Sequence, residues 1–367
     1  MVHISGGKVG RFTAFPGSDV ELVGGEYRLN GADFTDGSIT ISDGDILTGT
    51  FAGGSSFIFS DEDLDSLSDV TLTVVPLPPV DLNPIVINAT DSGLSGLRAG
   101  QTLTLQAGGS LAERFEVVDA TLNVEAGTVD GFAEVYNSEV NIRGGDVGSC
   151  FDAFSGSVVN ISGGAIGQRF DAFSGSEVNI SGGTVDDFFD ACSGSVVNIS
   201  GGTIGSGFDV QFDSVVNISG GVFGDDFDVF PGGAVNIRGR EFSIDGMLLS
   251  TLQLGQAFTI TDREVTLSGV LTDGESFSFD LELVEGGASG PSTPNDFFSS
   301  DATLTVTLVP PFLLGDSSLN GVVNVEDIGP FIAVLQTGSF LAQADCNQDG
   351  VVDFSDIPTF ISILTGS

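Results

Sequence analysis

The chain has 367 residues, enough for two or three domains, and 41% of them are hydrophobic, which suffices for sizeable cores. Against 51 acidic residues stand only 10 lysines and arginines, a formal charge of −41, which excludes nucleic acid as a partner and disfavours anionic membranes. No apolar run reaches the ~18 residues of a membrane-spanning helix, so no transmembrane segment is expected.

Glycine is abundant at 53 residues and the aromatics are nearly all Phe, with no Trp, so turns and strands are expected rather than helices. The first residues, "MVHISGG", start in mid-repeat and show no secretory signal; they read as a truncated module. In chain order we expect trailing β-helix coils over 1–31, a β-rich cap over 32–82, and a linker or leading strand over 83–100. Parallel β-helix repeats then span 101–240, a second β-rich cap 241–311, and a small helical domain 312–367.

"SGSVVNISGG" occurs at 155–164 and again at 193–202, with "SGSEVNISGG" midway at 174–183, so the period is 19 residues. Asparagine marks the frame at Asn123, Asn141, Asn160, Asn179, Asn198, Asn217 and Asn236; the first step is 18 residues and the later ones 19. Val159-Asn160-Ile161 alternates apolar, polar, apolar, as a half-buried strand does. A second short strand carries Ile166 and its equivalents. A third carries Phe151, Phe170, Phe189, Phe208 and Phe227, and glycine pairs such as Gly163-Gly164 supply positive-φ corners. Three strands and three corners in 19 residues suit one coil of a parallel β-helix, a solenoid in which stacked coils bury what no single coil can. Seven coils give a rod ~34 Å long.

A longer duplication supports the module boundaries. "GSDVELVGGEYRLNG" at 17–31 parallels "GGAVNIRGREFSIDG" at 232–246, and "DVTLTVVPLPP" at 69–79 parallels "DATLTVTLVPP" at 301–311. The changing offset places an insertion near "GGASGPSTPND".

Stacking turns repeats into columns. The Asn column reads as amides satisfying one another, or as a flat polar face for sugars. The column Asp152, Asp171, Asp190, Asp209 and Asp228 sets like charges about 5 Å apart, a repulsion of roughly 1 kcal/mol per neighbour even in water. Solvated side chains, salt or a row of Ca²⁺ would have to relieve it. Cys150 and Cys192 fall at different points of the frame, so Cys150, Cys192 and Cys346 are expected as free thiols. His3 is the sole histidine, and Arg143, Arg169 and Arg238 are scattered, so imidazole catalysis has no candidate in the rod. The chain is therefore expected to be non-catalytic. A groove in which two acids and a cation converge would instead favour a glycoside hydrolase or polysaccharide lyase.

The most specific motif is C-terminal. "DSSLNGVVNVED" at 316–327 and "DCNQDGVVDFSD" at 345–356 both match D-x-[DNS]-x-[DN]-G-x₅-[DE], with Gly at the sharp sixth position. Ligands of the first loop would be Asp316, Ser318, Asn320, the carbonyl of Val322, Asn324 (directly or through water) and Asp327. Those of the second would be Asp345, Asn347, Asp349, the carbonyl of Val351, Asp353 and Asp356. Two Ca²⁺ sites result, and the second, richer in carboxylates, should bind more tightly. After each loop an apolar helical face follows, Ile328, Phe331, Ile332, Val334 and Leu335 in one copy and Ile357, Phe360, Ile361, Ile363 and Leu364 in the other.

Loop then helix, twice, with no helix entering each loop, resembles a dockerin domain. The resemblance covers about 315–365. It implies folding on Ca²⁺ and docking to a cohesin-like domain of another protein. Val325-Glu326 and Phe354-Ser355 stand where dockerins often carry small hydroxyl pairs for recognition, and depart from that pattern. The whole chain is similar to secreted, repeat-rich, dockerin-tailed proteins of planctomycete-type bacteria. The expected function is that of an extracellular or cell-surface scaffold tethered to a cohesin-type partner. The alternative is a polysaccharide-binding or polysaccharide-degrading protein of an extracellular complex.

Overall fold

A computed structural model describes the chain except for residues 8, 10–11, 36, 43, 61–65, 90–93, 284–295, 310–312, 319–321, 338–340, 342, 348–350 and 366–367. It is mainly β, with 48% strand and a solenoid of about 12 turns, and its two helices are short and C-terminal.

Alternation of apolar and polar residues, with glycine at the bend, lets each 19-residue unit close on itself and pair with the next. Strands Val158–Ile166, Glu177–Val185, Val196–Ile204 and Val215–Phe223 run parallel, and Asn160, Asn179, Asn198 and Asn217 face each other in register. The first two expected strands of a coil are here one strand bent at the glycine pair. Gly164 holds φ at 79°, and a Cβ there would meet backbone at 2.7 Å, so no other residue fits the bend. The short strands Phe151–Ala153, Phe170–Ala172, Phe189–Ala191, Phe208–Val210 and Phe227–Val229 form a second parallel sheet.

The interior is a set of like-on-like stacks. Phe170, Phe189 and Phe208 are buried with ring centroids 4.8 Å apart, in contact with Ile and Val from the first sheet. Each such ring pair adds ~0.5–1.5 kcal/mol to what burial supplies. The stack extends beyond the Asn series at both ends. Ile85–Ile87 pairs parallel with Thr102–Leu105 below, and Thr303–Leu308 pairs parallel with Ala234–Ile244 above.

A second corner of each coil is unlike the expected one. Arg114, Phe132, Cys150, Arg169, Phe188 and Asp226 adopt left-handed φ between 59° and 68°, and only Gly207 in this column is glycine. Non-glycine residues pay ~1–2 kcal/mol for that conformation.

The duplication read from sequence is a duplication of topology. Val20–Leu29 pairs parallel with Val70–Val74 and antiparallel with Ile46–Phe51, which pairs with Ser56–Ser60. Ala234–Ile244 pairs likewise with Thr303–Leu308 and Thr266–Leu271, and the latter with Ser276–Asp280. Most of the expected insertion near "GGASGPSTPND" lies outside the described residues.

The two caps differ on their outer faces. Ile46 and Ile58 of the first cap pack against Val118, Tyr136, Phe154 and Phe173 on the flank of the rod. Ser56 Oγ donates to the Leu97 carbonyl at 3.1 Å, and Arg28 pairs with Asp119. The matching positions of the second cap are Thr266, half-buried, and Ser278, exposed. The first cap is apolar outside because a rod lies against it; hydroxyls suffice where none does.

Candidate functional sites

Two places in the fold concentrate chemistry. In the C-terminal segment, both loops fold in the same way. Asp327, the twelfth residue of its loop, accepts the amide N–H groups of Ser318 and Asn324, each at 2.8 Å. Asp356 accepts those of Asn347 and Asp353 at 3.0 and 2.8 Å. The ninth residue of each loop caps the turn that follows: Asn324 Oδ1 accepts from Glu326 N–H and Asp353 Oδ1 from Ser355 N–H, both at 2.7 Å. A single 3₁₀ turn then feeds helix α1, Ile328–Thr337, or helix α2, Ile357–Thr365.

Asp327 and Asp356 are fully buried at 0% exposure, and Asp316 and Asp345 nearly so at 2% and 6%. No Lys, Arg or His follows Arg263 in the chain, so the segment supplies no side-chain cation for these acids. Burial raises the Asp327 pKa, but hydrogen bonds from the Ser318 hydroxyl and the Asn324 and Ser318 amides outweigh it, leaving the carboxyl below its ordinary value. Ser355 likewise lowers Asp353. Buried ionised carboxylates demand a counter-charge. The donors are all oxygen, the set a hard divalent cation such as Ca²⁺ prefers. Cys346 is no competitor: burial, then Asp356 and Asp345, push its thiol up to about 11.

Of the expected ligands, Asn320 and Asp349 lie outside the described residues. Among the described residues no group of three or more His, Cys, Asp or Glu side chains is arranged as a metal-holding cluster. Asp316, Ser318, Asn324 and Asp327 do come together in the first loop: Ser318 Oγ donates to Asp316 Oδ1 at 3.4 Å, and Asp327 holds the amides of Ser318 and Asn324. Asp345 is buried, Asn347 and Asp353 are held by Asp356, and Val322 and Val351 lie exposed at matching positions.

The expected helical faces need one correction. Phe331 and Phe360 stack at 4.0 Å in a small core with Ala344, Cys346 and Val352, but Ile328, Ile332 and Ile361 are exposed at 38%, 45% and 51%. A helix only two to three turns long buries one narrow stripe, and these positions fall off it.

The second place is the flank of the rod. The acid column is longer than its aspartates: Glu116 pairs with Glu134, Glu134 with Asp152, and the register continues to Asp228. The two glutamates occupy the same frame position, but the 18-residue coil and the change of residue type conceal them in the sequence. At the upper end Phe297 N–H donates to Asp228 at 2.8 Å.

Over the upper coils the column floors a groove of about 420 Å³, with Asp171, Asp190, Asp209 and Asp228 below, Arg169, Phe188 and Asp226 from the left-handed corner, and Phe230. Burial, then Asp171 and Asp209, raise the Asp190 pKa to about 7. The ladder thus relieves its own repulsion by keeping a proton near neutral pH.

No match accompanies these sites. No family model, curated protein or solved structure matches the chain. Among the described residues no helix is long and apolar enough to cross a membrane. The three cysteines are free thiols.

Proposed function

We propose that the protein is an extracellular, non-catalytic scaffold: a rigid β-solenoid rod tethered by a Ca²⁺-dependent, dockerin-like domain to a cohesin-type partner. The observation that carries this reading is the pair of buried carboxylates Asp327 and Asp356, each held by two amides in a segment without a basic residue. Asp316, Ser318, Asn320, the Val322 carbonyl, Asn324 and Asp327 would hold one Ca²⁺; Asp345, Asn347, Asp349, the Val351 carbonyl, Asp353 and Asp356 would hold the other. Bound Ca²⁺ supplies the missing positive charge and so couples binding to folding.

The docking surface follows from the same symmetry. Val325 and Phe354, equivalent residues of the two loops, are 74% and 78% exposed, and Ile332 and Ile361 extend each stripe. Apolar side chains this open suit a partner whose own surface is apolar rather than a hydroxyl-reading one.

The test is titration of the full chain with Ca²⁺ after chelation, followed by binding to immobilised cohesin modules. Helical circular dichroism should appear with Ca²⁺ while the strand signal stays constant, and Val325→Asp with Phe354→Asp should abolish capture without changing Ca²⁺ uptake. Helicity indifferent to chelator would overturn the calcium reading; Ca²⁺ uptake with no cohesin capture would overturn only the partner.

One observation favours a second reading. The groove brings Arg169 together with Asp171, Asp190 and Asp209, the convergence expected of a polysaccharide-active site. Neighbouring coils set these acids ~4.8 Å apart along the sheet, close to the ~5–5.5 Å of retaining glycosidases, and the proton on Asp190 suits a general acid. Release of reducing ends from a polysaccharide panel, lost in Asp190→Asn, would establish it; no release from any member would dismiss it.

A further inference from the structure

The rod segregates charge between its two faces. On the flank, every coil from Glu116 to Asp228 contributes a carboxylate. On the other sheet the upper coils, from Val158 on, present mainly Val, Asn, Ser and Thr outward, whereas the lower ones carry Glu125, Glu139, Arg143 and Asp146 there. Over residues 158–222 the outward positions of the long strands include one charged residue, Glu177. In a chain of formal charge −41 this neutral panel is unusual. Solubility does not call for it, since charge is what keeps a surface apart from its neighbours.

The panel retains hydrogen-bonding capacity. Asn179 donates one N–H to Asn160 and accepts one from Asn198, at 3.1 and 2.8 Å, and the same holds up the column. A primary amide has two N–H groups and two acceptor sites, so Asn160, Asn179, Asn198 and Asn217 each keep one donor and one acceptor beyond those the ladder uses. Ser181 and Ser200, exposed beside them, use their hydroxyls only in long contacts of 3.4 and 3.3 Å. Donors and acceptors thus repeat every ~4.8 Å along the rod, close to the length of one sugar residue, with apolar Val196 alongside.

We infer that this Asn–Ser panel is a docking face for a neutral polysaccharide chain lying along the rod. Charge complementarity selects that occupant. A cationic polymer would go to the carboxylate flank, and an anionic one would be repelled by a body of charge −41. A neutral, hydroxyl-rich chain carries no net charge for that field to repel and can match the spare amide groups. The inference is independent of the calcium module and uses a different face from the acid groove.

The test is affinity electrophoresis of the full chain, with Ca²⁺ present, in gels containing neutral polysaccharides (soluble β-glucan, xyloglucan, glucomannan) or anionic alginate. Retardation is expected in at least one neutral gel and not in alginate. The double variant Ser181→Lys with Ser200→Lys should weaken it about tenfold, while Ser250→Lys on the second cap should not. Thr203→Lys, also on the panel but outside the Asn column, should weaken binding too and guards against misfolding of the double variant; unchanged melting of each confirms the fold. No retardation in any neutral gel, stronger retardation in alginate, or equal retardation of folded panel variants would each overturn the inference.

Discussion

The side-chain amide of Asn198 donates to Asn179 at 2.8 Å and accepts from Asn217 at 2.8 Å, one step of a ladder in which every amide points the same way. It starts at Asn123, which accepts from Asn141, and ends where Thr305 Oγ1 donates to Asn236. Position therefore decides what a substitution costs. Asn198→Asp keeps the acceptor but loses the donor and sets a carboxylate against the Asn179 oxygen, a cost of ~1–3 kcal/mol. Asn123→Asp loses no donor bond within the ladder and should stay within about 0.5 kcal/mol of wild type. Thermal unfolding of the rod by circular dichroism measures both; equal losses would mean that the ladder has no direction.

The carboxylate column makes stability depend on pH in the sense opposite to ordinary acid denaturation. The folded pKa of Asp190 is raised to about 7 from 3.8, and that of Asp296 to about 6, chiefly by burial. The folded rod therefore holds more protons than the unfolded chain between these values, and its stability falls as pH rises through 6 to 7. Moving from pH ~8 to pH ~5 should stabilise the rod by on the order of a few kcal/mol. Asp190→Asn should remove much of the dependence and raise the melting temperature at high pH. A melting temperature that climbs as the pH rises from ~5 to ~8 would contradict this.

Phe188 sits at φ 63° with half its ring exposed, where the next coil has Gly207 at φ 73°. Replacement by glycine relieves a left-handed strain of ~1–2 kcal/mol and gives back part of it as chain entropy. Phe188→Gly is expected to leave the rod as stable as wild type or up to about 1 kcal/mol more stable. A clear drop in melting temperature would show that ring contacts in the groove outweigh the backbone strain.

Ile58 is 2% exposed where the first cap meets the rod. Ile58→Ala should cost ~2–4 kcal/mol of that contact, and Ile58→Asp should detach the cap by burying an unpaired charge. Small-angle scattering would then show a longer, hinged particle, and limited proteolysis would cut between residues 75 and 84. The same change at Ser278 of the second cap should do neither, since that position is exposed.

The coil was legible because its signal is local and repeated. Val159, Asn160 and Ile161 recur at a fixed spacing, and a solenoid only requires each residue to sit on its own equivalent. The two loops were legible for a similar reason, since glycine at the sixth position and acids at the first and twelfth place are neighbours in sequence. Ile332 and Ile361 misled the reading, because periodicity marks an apolar face without saying how much of it a two-helix domain can cover.

Sequence by itself thus determined the period, the stacking order, the duplicated cap and the oxygen-rich loops, because each is a relation between residues close in the chain or equivalent in the repeat. Only the tertiary structure decided that acids floor a groove while amides face away from it, that corner residues other than glycine take left-handed geometry, and that one cap lays its outer face against the rod while its twin leaves that face open. Those depend on which surfaces meet across long stretches of chain, where burial and the summed electric field act and no local pattern records them.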